Sequence, residues 1–139
     1  TKSQQEKYYK KNILTNKKRK FPQNILFAFY YKKEFVGYGG FVHISWIDKR
    51  SEISFLLNDK IKENDKFFHN LFIDFVNIIK NIAFKELGLK KITTETFDHR
   101  IQILKTIEKI GFKKEGYFKN HYFKVKFINS ISHSLISKN

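Results

Sequence analysis

The residues best suited to chemistry in this sequence are groups that move protons. Glu52 opens the segment Glu52–Leu57, two positions after Arg50. A carboxylate partly withdrawn from water keeps its proton to higher pH and accepts one near neutrality, directly or through a water. Left at the surface, Glu52 would merely balance Arg50. His43 lies among apolar residues, three positions before Trp46. Imidazole titrates in the useful range, although a lone His flanked by apolar residues is more often structural. His121 and Tyr122 are adjacent, and Tyr122 reads either as a phenolic acid or as an ordinary aromatic strand residue. His69, His99, His121 and His133 lack the close, paired spacing of zinc ligands, so no metal is expected. The chain has no P-loop, no G-x-G-x-x-G and no G-x-S-x-G. Gly37, Gly39 and Gly40 have no helix after them to form a dinucleotide site.

These residues need elements to hold them. Ser3 and Glu6 have capping-box spacing, which predicts a helix over 3–14 with Tyr8, Tyr9, Ile13 and Leu14 on its apolar side. Lys17 to Lys20 reads as a solvated connector closed by Phe21-Pro22. Ile25 to Tyr31 reads as a strand, Lys32-Lys33-Glu34 as a turn and Phe35 to Ser45 as the hairpin partner. Glycines 37, 39 and 40 imply a bulge or a close backbone approach there. Asp48-Lys49-Arg50 is a second turn and Glu52 to Leu57 a third strand. Phe68, Leu71, Phe72, Phe75, Ile79, Ile82 and Ala83 recur at helical steps, predicting a helix over 64–87 with Gly88 at its C-cap. Lys91 to Phe97 is strand-like, Ile101 to Ile110 helical with Gly111 as its stop, and two strands close the chain over 114–123 and 127–136. The order β-β-β-α-β-α-β-β after one helix is mixed α/β (α+β). It predicts an antiparallel meander followed by β-α-β-α-β-β in one domain over residues 1–139.

Composition sets the class. Hydrophobic residues make up 41% and aromatics 17%, with 16 Phe, enough to fill one core. No apolar run approaches the ~20 residues that span a bilayer, and no signal peptide opens the chain, so no membrane association is expected. The absence of Cys excludes disulfides, a thiolate nucleophile and Cys-based zinc sites; it fits a reducing compartment, with the cytoplasm as the expectation. The formal charge of +15 points to a polyanionic partner or merely to codon usage in an AT-rich genome. Lys supplies nearly all of it. Arg19, Arg50 and Arg100 are the only arginines, and Arg is the residue preferred for specific phosphate forks. No specific nucleic-acid partner is expected.

That element order, with four stretches of sequence, resembles the Gcn5-related N-acetyltransferase (GNAT) superfamily, of the type that acetylates ribosomal-protein N-termini and amino sugars. Glu52-Ile53-Ser54-Phe55-Leu56-Leu57 looks like the family's fourth strand. Ala83 to Ile92 looks like the end of its third helix leading into strand five. Glu108-Lys109-Ile110-Gly111-Phe112-Lys113-Lys114-Glu115-Gly116 resembles its "EKxGFxxEG" ending, and Phe127 to Leu135 its last strand. The resemblance covers nearly the whole chain but implies a further strand and helix before Thr1. That the chain opens on Thr rather than Met also leads us to expect an upstream segment.

The resemblance implies acetyl transfer from acetyl-CoA to a primary amine, on a small molecule such as an amino sugar or on a protein N-terminus. Such a reaction must hold the thioester beside the amine, take a proton from the ammonium and stabilise the developing oxyanion. Phe55, Leu56 and Leu57 would offer the backbone edge that pairs with the pantetheine arm. Glu52 is the first candidate for the base. Glu95 is the second, since its strand is expected to turn side chains toward the covering helix. His43 is a further candidate, and Tyr122 is the nearest substitute for the family's Tyr acid, whose place Ile107 takes. The family's glycine-rich pyrophosphate loop is replaced by the glycine-free, longer segment Asn58 to Lys66, which leaves Lys60, Lys62 and Lys66 with the helix terminus to bind phosphate, and weaker binding is expected. Arg100 stands where the family often has Asn. Two alternatives remain open: a GNAT-like module that binds acyl-CoA or a partner without catalysis, and a nucleic-acid-binding domain that stacks bases on Phe27, Phe29, Tyr30 and Tyr31. The aromatics of the final hairpin are candidates for pairing subunits as a homodimer.

Overall fold

The computed structural model describes Ser3, Gln4, Glu6, residues 20–63 and residues 65–138. Of the helix expected over 3–14, Ser3, Gln4 and Glu6 are described and helical; its other residues, and all of Lys17 to Lys20 but Lys20, lie outside the described residues. The described elements are β1 (Ile25–Tyr31), β2 (Glu34–Ser45), β3 (Arg50–Leu57), α1 (Lys66–Asn81) with a π turn over Ile82–Glu86, β4 (Lys91–Phe97), α2 (Ile101–Ile110), β5 (Lys113–Phe123) and β6 (Phe127–Ile136). They build one six-stranded sheet in the order β1-β2-β3-β4-β6-β5. The β1-β2-β3 meander is antiparallel. The α1 crossover makes β3 and β4 parallel, and β4-β6-β5 is antiparallel again.

The core lies between the sheet and α1. Apolar residues of α1 at three- and four-residue steps (Phe68, Leu71, Phe72, Phe75, Val76, Ile79) are buried, as the periodicity requires. In β3, Ser51, Ile53 and Leu57 are buried on the helix side, while Glu52, Ser54 and Leu56 alternate to the other face. Phe55 shares the helix side and stacks on Phe75 at 4.3 Å and 21°. Phe29 meets both rings edge-on, at 6.1 Å each. The close approach expected at the β2 glycines is this one: a Cβ on Gly39 would stand 2.7 Å from the Phe75 ring and 2.4 Å from the Ser54 carbonyl oxygen.

Two details depart from the sequence reading. The long helix does not stay α-helical to residue 87: beyond Asn81 the ladder widens, and the Leu87 N–H donates to the Ile82 carbonyl five residues back. Gly88 then takes the left-handed conformation (φ 66°) and the Leu89 N–H donates to the Ala83 carbonyl, closing the helix as a C-cap glycine should. In addition, β2 carries two bulges: the expected one beside the glycines, at Val36, where Phe29 pairs with Gly37 and Tyr30 with Phe35, and a second at His43 and Ile44 that no glycine marks. Val42 pairs with Glu52 and Ser45 with Arg50, so two residues oppose Ser51 alone, and His43 sits at φ 52°.

The two helices are tied to one another. Thr106 Oγ1 donates its one proton to the Gln102 carbonyl at 2.9 Å and lies 3.0 Å from His69 Nδ1. With that proton spent, the Nδ1–H of His69 must be the donor between α1 and α2.

The glycine requirement can be tested directly. Gly39→Ala should lower unfolding free energy by about 1–3 kcal/mol in urea titration, through overpacking against Phe75 and the β3 backbone. Unchanged stability would contradict the packing described here.

Candidate active site

β3 and β4 are bonded only at their beginnings. Arg50 pairs with Lys91, Ser51 with Ile92 and Glu52 with Thr93, and there the ladder stops. Beyond it β3 stays zipped to β2 as far as Leu57, and β4 stays zipped to β6 as far as Phe97. The facing edges from Ile53 and from Thr94 onward are left unpaired with each other, so a wedge-shaped gap opens beside Phe55, Leu56 and Leu57, where a gap is expected. The Phe55 side chain points into the aromatic core and Leu57 is buried, so what these residues present to the gap is backbone. Unpaired strand edges of this kind accept an extended ligand as an extra strand.

At the wide end of the gap, β3 runs through a loop into α1. The loop is ordered by its own backbone: the Ile61 N–H donates to the Asn58 carbonyl at 2.9 Å, the Asp65 N–H to the Lys62 carbonyl at 3.0 Å, and the Lys60 N–H to Asn58 Oδ1 at 3.1 Å. Asp65 is the N-cap of α1 but makes no side-chain capping bond, and the first turn holds no acidic residue. The leading amides of the helix are thereby open to an external anion. Lys60, Lys62 and Lys66 are all exposed around it. Asp59, Glu63 and Asp65 are exposed in the same loop and match the three lysines in number, so a diphosphate would be received by individual lysine side chains and the open helix amides rather than by a net positive loop.

At the narrow end, on the face away from α1, two carboxylates come together. Glu52 stands at the last bonded pair of β3. Glu95 lies two residues beyond Thr93 on β4, with its side chain alternating away from the buried Thr94 and Thr96. Glu95 is therefore not turned toward the covering helix; the expectation that placed it second is corrected by the strand's register. Glu95 Oε1 accepts from Ser130 Oγ at 2.7 Å and from the Tyr122 hydroxyl at 3.0 Å, with His121 Nε2 at 3.6 Å. Burial pushes the Glu52 carboxyl up from its ordinary 4.5; electrostatic interaction with His43 pulls it back and that with Glu95 pushes it further up. Tyr122 is pushed up to about 12, by desolvation first, then by its hydrogen bond to Glu95 and the charges of Glu95 and Glu52.

A model of the Acetyltransferase (GNAT) domain family matches residues 1–129. The chain belongs to the GNAT acetyltransferase family. No curated protein matches it by sequence. Solved structures share the fold of this GNAT domain at low identity. A spermidine N-acetyltransferase from Vibrio cholerae, described as dodecameric and in an intermediate state, aligns at TM-score 0.75 and 18% identity over 98% of this chain and 74% of its own. A structure of the Vibrio cholerae enzyme in complex with CoA and spermine gives 0.75 and 17%, over 98% and 75%. A third, of spermidine/spermine N-acetyltransferase from the same organism with manganese ions, gives 0.76 and 18%, over 98% and 75%.

Within the GNAT frame the candidates fall into two groups. Glu52, His43 and Tyr122 gather with Glu95 at the narrow end; Lys60, Lys62 and Lys66 surround the wide end. Arg100 is also near the wide end but is already engaged, its Nε 2.7 Å from Glu63 Oε1. Ile107 is buried in the core cluster and carries no proton to give a leaving thiolate. Sequence reading missed Ser130 and Glu63. Ser130 is fully buried on β6 and appears only once β6 is placed beside β4; Glu63 is one acidic residue in a lysine-rich loop, and only its partner distinguishes it.

Because Glu52 holds its proton more tightly folded than unfolded, the native state binds more protons between 4.5 and its raised value. Stability attributable to this group therefore falls as pH rises through that window. Glu52→Gln should raise the melting temperature at neutral pH and lose that advantage as the pH approaches 4. An advantage that is the same at both pH values would show that desolvation of the charge is not its origin.

Proposed function

We propose that this GNAT domain is an acetyl-CoA-dependent N-acetyltransferase acting on a primary amine of a small molecule, at the gap between β3 and β4. The observation that carries the reading is the end of β3–β4 pairing at Glu52 and Thr93. Acetyl-CoA supplies the thioester carbonyl. The backbone of Phe55 to Leu57 holds the extended arm, and an N–H from that edge faces the carbonyl oxygen as negative charge develops. Lys60, Lys62, Lys66 and the start of α1 hold the diphosphate at the wide end. Glu52, at the narrow end, takes the proton the attacking ammonium must lose, directly or through water; its raised pKa suits that task. As the amine nitrogen bonds to the carbonyl carbon the carbon–sulfur bond breaks, and the thiolate leaves to take a proton.

Tyr122 is the nearest phenol, but its proton is committed to Glu95 and held to about 12. Its part in this reading is to fix Glu95, with solvent protonating the thiolate. The two carboxylates favour a cationic acceptor, which agrees with the spermidine and spermine named for the structural neighbours. A homodimer would form through the β5–β6 hairpin, and the cytoplasm would be its setting. The buried Ile107 supports one other reading, an acyl-CoA-binding module without catalysis.

Millimolar acetyl-CoA should raise the melting temperature by mass action, and thiol release should follow addition of an amine from a panel of polyamines, amino sugars and N-terminal peptides. Absence of a thermal shift would remove the acyl-CoA reading, and binding without thiol release over the whole panel would select the non-catalytic module. Glu52→Gln should lower kcat by about 100-fold with little change in coenzyme A affinity. The acid limb of the wild-type kcat/KM profile should lie above the ordinary carboxylate range, and Glu95→Gln should move it to lower pH by removing the neighbouring negative charge.

A further inference from the structure

Across the wide end of the gap runs an ion pair that the acetyl-transfer reading does not use. Glu63 lies in the loop that follows β3, and Arg100 is the N-cap of α2, three residues past the end of β4. Their side chains meet at 2.7 Å, Arg100 Nε to Glu63 Oε1. The two strands that flank the gap part at Glu52 and Thr93 and are joined again, past their far ends, by this contact. Both partners remain open to water, at 35% for Arg100 and 44% for Glu63, so the pair can exchange without unfolding anything. The guanidinium fork accepts a phosphate as readily as a carboxylate. Among the described residues Glu63 is the carboxylate bonded to Arg100, and it lies in a loop whose Lys60, Lys62 and Lys66 are interleaved with Asp59 and Asp65, all of them exposed.

We propose that Glu63 is a built-in stand-in for a cofactor phosphate: it occupies Arg100 across the mouth of the gap, and the diphosphate arm of the acyl-CoA displaces it on binding. The inference rests on the acyl-CoA reading above and adds a residue to it. Glu63 satisfies and orients Arg100 while the gap is empty, which keeps α2 and the loop in register. The cost falls on affinity, since each binding event must break a charge pair before it makes one. Such an exposed pair contributes at most about 1 kcal/mol, so the competition is modest and easily reversed. The contact requires no change in α1 or α2, only rotation of the Glu63 side chain out toward solvent.

The test is titration calorimetry with coenzyme A and, separately, with S-acetylpantetheine, which carries the thioester arm without any phosphate. Glu63→Gln, checked by thermal unfolding for retained structure, should bind coenzyme A about threefold to fivefold more tightly and S-acetylpantetheine as the wild type does. Arg100→Gln should weaken coenzyme A binding, and the double variant should show no gain from the Glu63 change. A folded Glu63→Gln variant whose coenzyme A affinity is unchanged or weaker would overturn the proposal, as would an equal gain for the phosphate-free arm. Failure of the wild type and all variants to bind either ligand would instead sink the acyl-CoA reading itself.

Discussion

β3 and β4 lie side by side and run the same way, yet each is held along its full length by a different neighbour. β2 takes the outer edge of β3 through Leu57, and β6 takes the outer edge of β4 through Phe97. After three shared pairs the inner edges separate. The Phe55–Phe75 stack draws β3 toward α1, and Gly39 permits the Phe75 ring to sit against the sheet. The order of elements, the two-sided zipping and the ring stack together fix a permanent opening in an otherwise continuous sheet. Every proposed role in catalysis is defined by its position along that opening.

Chemistry divides along the same axis. Lysines, interleaved with Asp59, Glu63 and Asp65, and uncapped helix amides lie where the strands are far apart; the Glu52 and Glu95 pair lies where they meet. A carboxylate in that narrow corner is costly to ionise, and Glu52 bears the cost because Val42 on β2 and the start of β4 screen it from water on both sides. Glu95 is better served, with Ser130 and Tyr122 both donating to the same oxygen. Two acids a strand apart thus have unequal environments, the usual precondition for giving them different tasks.

Much of this was legible in the chain. Helical periodicity from Phe68 to Ile79 and the glycines at 88 and 111 located α1 and α2, and the alternating runs located the six strands of the described residues. Glu52 could be singled out because the GNAT resemblance sets it at the start of a particular strand. Other features depended on partners distant in sequence. The facing of Glu95 follows from the register of β4 against β6, 35 residues from Ser130. The π turn after Asn81 has no composition signal, since Ile82 and Ala83 continue the apolar period and only the Leu87-to-Ile82 bond reveals the wider ladder. The glycines of β2 marked the bulge at Val36 beside Gly37, but the second, at His43, shows only in the pairing of Val42 and Ser45 with β3.

The hydrogen bond from His69 to Thr106 bears on how a ligand would be received. By linking α1 to α2 one turn in from their starts, it makes the roof over the sheet a single brace. The helices that follow the two flanking strands are thereby joined before anything enters. An extended thioester arm would then meet a rigid groove whose shape is already set, and little ordering entropy would remain to be spent on its account.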